Sequence, residues 1–191
     1  MKIGVLGLQG DVREHAAALD RAGATPMIVK KPEDVAAVDG LIIPGGESTT
    51  IGKLLDRFGL LEPIRERAER DLPLYGTCAG AILMARDIVG RQTAPHRIPV
   101  LDIAVRRNAY GRQVDSFESD LAVDRFDGPF RAVFIRAPVI ERVGDEVEVL
   151  AQADGAPVLV RHGRHLASTF HPEMTGDNRV HSLFVSMIDQ G

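Results

Sequence analysis

A single cysteine in 191 residues leaves no partner for an internal disulfide and fits a reducing, cytoplasmic setting. No apolar run approaches the roughly 20 residues of a membrane-spanning helix, and no charged-then-apolar secretory signal opens the chain. Neither sign of charge dominates. The 23 basic and 27 acidic residues give a net charge of -4 spread along the chain, which argues against nucleic acid or an anionic membrane as a partner. Tryptophan is missing and tyrosine occurs twice, and neither fact points to a function. Internal repeats, low-complexity tracts and long linkers are also lacking. With 45% hydrophobic and 26% charged residues, the whole of 1–191 is expected to form one domain with a substantial core.

What is present begins with Lys2 to Leu8, an apolar run without polar alternation, as an inner parallel strand requires. Asp11-Val12-Arg13-Glu14 has the form of a capping box, and Val12, Ala16, Leu19 and Ala22 keep helical spacing up to Gly23. The glycines of Gly4-Val5-Leu6-Gly7-Leu8-Gln9-Gly10 miss the Gly-x-Gly-x-x-Gly spacing, so a dinucleotide site is rejected. Met27 to Lys30 reads as a strand and Pro32 as the start of a helical turn. Leu41 to Ile43 is a third strand; it runs into Pro44-Gly45-Gly46-Glu47-Ser48, with Ser48 as N-cap of a helix marked by Ile51, Leu54, Leu55 and Phe58. Pro63 to Arg70 is a further helix. Such strand-helix repeats predict a parallel sheet with ligands at the carboxyl ends of its strands. After Val89 the pattern changes. Gly90 to Pro99 reads as a surface loop, and strands are expected at Ile103–Val105, Ser116–Val123, Phe130–Ile135, Val147–Ala151, Val158–Val160 and Leu166–Phe170, mostly antiparallel, before a helix from about Asp177 to Met187.

Two stretches carry chemistry. Leu72 to Met84 reads as a strand, a tight turn and an apolar helix beginning at Ala79, with Cys78 at the turn between Gly76 and Gly80. That is the logic of a nucleophile elbow with sulfur in place of oxygen, and the helix aims its free N–H groups at the thiol. The paired glycines Gly45 and Gly46 allow backbone N–H groups close to a bound oxygen, as an oxyanion hole needs. A thiol nucleophile also needs a base. His15 on a charged helix, His96 in a loop and His181 on the last helix are read as solvated or structural, and His162 and His165 straddle a glycine turn without further metal ligands. His171 differs, because Pro172 favours an extended predecessor and Glu173, two residues on, then reaches the same side as the imidazole. A carboxylate that orients a histidine facing a thiol generalises the serine-hydrolase triad.

Gly76-Thr77-Cys78-Ala79-Gly80, Pro44-Gly45-Gly46-Glu47-Ser48 and Phe170-His171-Pro172-Glu173, in these places along the chain, resemble a class I glutamine amidotransferase. Gly7-Leu8-Gln9-Gly10 with Arg13-Glu14-His15, the stretch from Arg107 to Glu118, and Phe134-Ile135-Arg136-Ala137-Pro138 narrow the resemblance to the glutaminase subunits of pyridoxal 5'-phosphate synthases. The resemblance implies an α/β, three-layer flavodoxin-like (class I glutaminase) fold, with a central mostly parallel sheet and antiparallel strands added in the second half. It implies Cys78 as nucleophile, His171 as base and later acid, Glu173 as the residue orienting it, and an oxyanion hole from Gly46 and Ala79. Glutamine contacts carry over to Gly46, Glu47, Ser48, Arg107, Ile135 and Arg136. No metal or organic cofactor is implied. The implied partner is a synthase (lyase) subunit in a hetero-oligomeric complex, which takes up the ammonia and condenses pentose and triose phosphates into pyridoxal phosphate. That partner is expected on the strand-end edge, touching Gln9, Gly10, Arg13 and His15. Two rivals remain: an amidotransferase subunit of another pathway, such as histidine biosynthesis, which should lack the Arg107 to Glu118 stretch, and a thiol or chaperone-like protein of the same fold, which should lack the His171 and Glu173 pair.

Overall fold

The computed structural model describes residues 1–90, 95–107 and 116–190. In chain order the elements are β1 (Lys2–Leu6), α1 (Val12–Arg21), β2 (Thr25–Val29), α2 (Pro32–Ala36), β3 (Gly40–Ile43), α3 (Ser48–Arg57), α4 (Leu61–Arg70), β4 (Leu74–Thr77), α5 (Ala79–Met84), β5 (Ala85–Ile88), β6 (Leu101–Arg106), β7 (Ser116–Leu121), β8 (Phe130–Ile135), β9 (Val139–Val143), β10 (Val147–Ala153), β11 (Ala156–His162), β12 (His165–Ser168) and α6 (Arg179–Asp189). The central sheet runs β10-β11-β12-β4-β3-β1-β2. Its β12, β4, β3, β1 and β2 are parallel, and β10 and β11 add an antiparallel edge. Two smaller sheets, β5-β6-β9 and β7-β8, flank it. The expected α/β architecture is the one observed.

Burial explains the two textures of the sequence. In β3, β4 and β12 every residue is buried, so these strands need no polar alternation. β6 and β8 alternate, because each covers the core with one face only. Along β3, Leu41 and Ile43 join a cluster with Val35, Ile51, Leu55 and Ile64 of α2 to α4 and with α5, while Ile42 faces the other way. There, with Ile3, Val5 and Tyr75, it packs against Leu19 of α1, Phe184 of α6 and the Phe130 and Phe134 side chains of β8. Each such buried aliphatic or aromatic side chain contributes on the order of 1.5–3 kcal/mol. Helices thus cover both faces and leave the strand ends open. Among the described residues no helix is long and apolar enough to cross a membrane.

Several local expectations are corrected. Asp11 makes no side-chain capping bond, so the capping box at α1 does not form. The N-cap of α3 is Glu47, whose carboxylate accepts from Thr49 N and Thr50 N, and Ser48 is the first helical residue. α4 starts two residues before Pro63, which is tolerated in a first turn because its missing N–H would have no helical partner there. β5 and β9 were not expected; both are short, and both are held by pairing with β6 rather than by an apolar pattern of their own. Residues 91–94 of the expected loop and 108–115 of the Arg107 to Glu118 stretch lie outside the described residues.

Candidate active site

Strands β1, β3, β4 and β12 are neighbours in the sheet, so the segments that follow them meet along one edge. These carry Gln9-Gly10, Gly45-Gly46-Glu47, Cys78 and His171. Cys78 sits at φ 48°, ψ -100°, a conformation that costs a non-glycine residue of order 1–3 kcal/mol and that surrounding structure must enforce. Two packing facts enforce it. A Cβ on Gly80 would fall 2.1 Å from Ile43 O, and one on Gly76 would fall 2.6 Å from Gly80 C, so α5 can lie this close to β3 and β4 only if both are glycine. Cys78 N also donates to Ser168 O at 2.8 Å, which ties the turn to the end of β12.

His171 follows β12 and is fixed by its own N–H, which donates to Val133 O at 2.8 Å. Its Nδ1 lies 2.7 Å from Oε1 of Glu173, which begins a 3₁₀ turn with Pro172 and is buried behind the imidazole. Burial by itself would lower the pKa of His171, but its hydrogen bond to Cys78 and its hydrogen bond and charge pairing with Glu173 outweigh burial and raise it to about 10. The Cε1 edge of the ring abuts the glycine loop, since a Cβ on Gly45 would stand 2.4 Å from Cε1. Cys78, His171 and Glu173 therefore form a connected thiol, imidazole and carboxylate set, which can deliver a nucleophile and move a proton.

Cys78 and His171 open on a cleft of about 370 Å³. Gly46, Glu47, Ser48, Arg107, Ile135 and Arg136, all expected at a glutamine site, line it. Arg107 donates to Glu47 Oε1 at 2.7 Å and to Thr49 Oγ1 at 3.1 Å, using part of its fork of donors and leaving the rest for an incoming carboxylate. Desolvation would raise the Glu47 carboxyl, yet hydrogen bonds from Thr49 and Thr50 hold its pKa at about 2, so it stays charged. Arg136 is exposed at φ 44°. Ile135 brings its carbonyl oxygen to 3.8 Å from Cys78 Sγ. Ala79 is buried as the first residue of α5, where its N–H has no partner within the helix.

Asp11 and Ile82 also line the cleft and were not expected there. Ile82 stands one helical turn after Cys78, so a helical-face argument from the elbow would have found it. Asp11, His171 and Glu173 offer ligand atoms within 4.8 Å of one another.

Of the expected docking residues, Gln9, Gly10 and Arg13 are exposed. Gln9 Oε1 accepts from Glu47 N at 2.9 Å, and a Cβ on Gly10 would stand 2.2 Å from Gly45 O, so the two loops are in contact. His15 is a correction. It is fully buried on the inner face of α1 against His181, and no surface partner can touch it.

Residues 5–190 match the model of the SNO glutamine amidotransferase family. The chain is 58% identical over 189 residues, 99% of its own length and 98% of the other, to pyridoxal 5'-phosphate synthase subunit PdxT of Mycobacteroides abscessus. It is 57% identical over 188 residues to the protein of the same name in Frankia alni, covering 98% of this chain and 94% of that one. A solved structure described as a glutamine amidotransferase superposes with a TM-score of 0.92 at 53% identity, covering 98% of each chain. The structure of PurLQS from Thermotoga maritima, at 19% identity and a TM-score of 0.64, shares the fold alone. With the match spanning both the elbow of Cys78 and the His171 and Glu173 pair, the chain belongs to the SNO glutamine amidotransferase family.

Proposed function

We propose that this chain is the glutaminase subunit of a pyridoxal 5'-phosphate synthase, hydrolysing L-glutamine to glutamate and ammonia and passing the ammonia to a synthase subunit. The observation that carries the reading is the bonded set of Cys78, His171 and Glu173 at the floor of a cleft lined by Glu47, Arg107 and Arg136. A substrate with an α-carboxylate, an α-ammonium group and a side-chain amide meets complementary groups there: guanidinium, carboxylate and thiol.

In this reading Cys78 Sγ gives its proton to His171 and, as the thiolate, attacks the side-chain amide carbon of glutamine. The oxyanion that forms takes hydrogen bonds from backbone N–H groups of Gly46 and Ala79, a contribution of roughly 10²–10³ in turnover for each donor. His171 gives its proton to the amide nitrogen, the C–N bond breaks, and ammonia leaves. A water molecule then loses a proton to His171 and adds to the thioester; the C–S bond breaks, and the proton returns to sulfur. Glu173 keeps the Nδ1 hydrogen of His171 pointed away from the thiol throughout. Each step is complete with these groups, so no metal or organic cofactor is required.

The high identity to subunits named for pyridoxal 5'-phosphate synthase supports a synthase partner in a hetero-oligomeric complex rather than the subunit of another pathway. Ammonia released into water at neutral pH is protonated and loses its nucleophilicity, so transfer within a complex has a chemical advantage. The test is glutamate release by the wild-type chain and by Cys78→Ala, paired with pyridoxal phosphate formation from pentose phosphate and triose phosphate when the synthase subunit is added. Glutamine-dependent product with wild type and none with the variant supports the reading; glutamate release that survives Cys78→Ala would overturn it.

A further inference from the structure

Behind Glu173 lie two imidazoles that the reaction above does not use. His15 of α1 and His181 of α6 are both 0% exposed, although they are 166 residues apart in sequence. His15 Nδ1 and His181 Nε2 are 2.9 Å apart. The other ring nitrogen of His15 lies 3.3 Å from Thr77 Oγ1, beside the nucleophile, and 3.5 Å from Glu173 Oε1, the same oxygen that meets His171 Nδ1. Burial disfavours charge on both rings, lowering His15 well below the ordinary histidine range and His181 to about 4, so each carries a single ring hydrogen.

One hydrogen per ring leaves two arrangements. If His15 held its hydrogen on Nδ1, it would donate to His181 Nε2. Its own Nε2 lone pair would then face the carboxylate oxygen, and His181 would carry a hydrogen on Nδ1. That atom has no partner among the described residues, and a buried N–H without an acceptor is the costlier orphan. In the reverse arrangement His181 Nε2–H donates to His15 Nδ1, His15 Nε2–H points at Glu173 Oε1 and Thr77 Oγ1, and the orphaned His181 Nδ1 bears only a lone pair. Both ends of the chain favour this second arrangement.

We propose that His15, backed by His181, is a positioning residue that holds the Glu173 carboxylate at the oxygen that meets His171 and ties it to β4, the strand that leads into Cys78. The proposal rests on the glutaminase reading. In it Glu173 Oε1 pairs with the Nδ1–H of His171 and faces the Nε2–H of His15 at 3.5 Å, an electrostatic contact that steadies the carboxylate and so the tautomer and tilt of His171. His15 touches no substrate, and its loss should act on turnover rather than on glutamine binding.

The experiment compares wild type, His15→Phe, His15→Gln and His181→Phe as full-length chains with the synthase subunit at saturation, measuring kcat and KM for glutamate release and the thermal unfolding midpoint. Phenylalanine fills the space without ring nitrogens, whereas glutamine restores a donor and an acceptor on a chain of similar reach. His15→Phe should lower kcat roughly tenfold, on the scale of one buried polar contact expressed in the barrier, with the glutamine KM within about twofold of wild type. His15→Gln should recover most of that loss. Equal kcat in all variants, equal losses with Phe and Gln, or a loss confined to KM would overturn the proposal. Should His15→Phe fail to fold, His181→Phe decides, since removing only the backing donor should lower kcat in the same sense and an unchanged kcat would refute the role. Wild-type activity in the same assay separates the two claims: no glutamate release with the synthase present defeats the glutaminase reading, whereas normal release that His15→Phe leaves unchanged defeats only the positioning role.

Discussion

Cys78 keeps its strained backbone because Gly76, Gly80 and Ser168 leave it no alternative, and none of those constraints involves its sulfur. Cys78→Ala should therefore fold with a far-ultraviolet circular dichroism spectrum like that of wild type and release no measurable glutamate. His171 and Glu173 differ in kind. Losing the imidazole removes the proton carrier, whereas Glu173→Gln leaves it present but poorly oriented. His171→Ala should thus be the more damaging change, by roughly 10²-fold in kcat on the precedent of serine-protease triads. The same Glu173→Gln variant has a titration signature: the hydrogen bond and charge of Glu173 both raise the pKa of His171, so their loss should move its imidazole titration to lower pH. An NMR titration of the ring protons reads this directly, and an unchanged midpoint would remove Glu173 from its role. Arg107 acts on binding in this account. Arg107→Ala should raise the glutamine KM by roughly 10- to 100-fold, the worth of a charge-assisted hydrogen bond, with a smaller effect on kcat.

At the level of elements, two glycines let α5 lie close against the sheet. Gly80→Ala would place a methyl group 2.1 Å from Ile43 O, a backbone atom that cannot step aside, and should destabilise the fold by about 1–3 kcal/mol with loss of activity. Gly176→Ala meets nothing within 4 Å and should change stability by less than about 0.5 kcal/mol. Paired thermal melts of the two variants check this. The glycine spacing around Cys78 was legible in sequence as a tight elbow. That its reason is the approach of α5 to β3 was not, because Ile43 lies far upstream and only the sheet brings it there. The N-cap of α3 was misread for a related reason. Ser48 and Glu47 are both adjacent to the helix start, and the carboxylate, drawn also by Arg107, reaches the free N–H groups of Thr49 and Thr50.

For the whole molecule, the loops after β1 and β3 are coupled through Gln9, Glu47, Gly10 and Gly45, and Gln9, Gly10 and Arg13 are open to a partner. Glycine peptides rotate at low steric cost, so docking at this edge could turn a backbone N–H at Gly46 into the oxyanion site only in the complex. The isolated chain should then hydrolyse glutamine slowly, and a saturating synthase subunit should raise kcat by roughly 10²–10³, the value of one such donor. Equal rates with and without the partner would show a site assembled in advance.

The sequence by itself determined the parallel sheet, the elbow at Cys78, and the pairing of His171 with Glu173, because each depends on neighbours a few residues away: buried runs, flanking glycines, and an extended His-Pro-Glu segment. Tertiary structure decided what depends on distant partners. β5 and β9 exist because β6 pairs with them. Glu47 rather than Ser48 caps α3. His15, read as solvated or structural on a charged helix and expected at the partner's edge, is buried against a histidine 166 positions away. A charged stretch tells which residues can face water, but which face of α1 turns inward, and what meets it there, is set only when α6 packs beside it on the sheet.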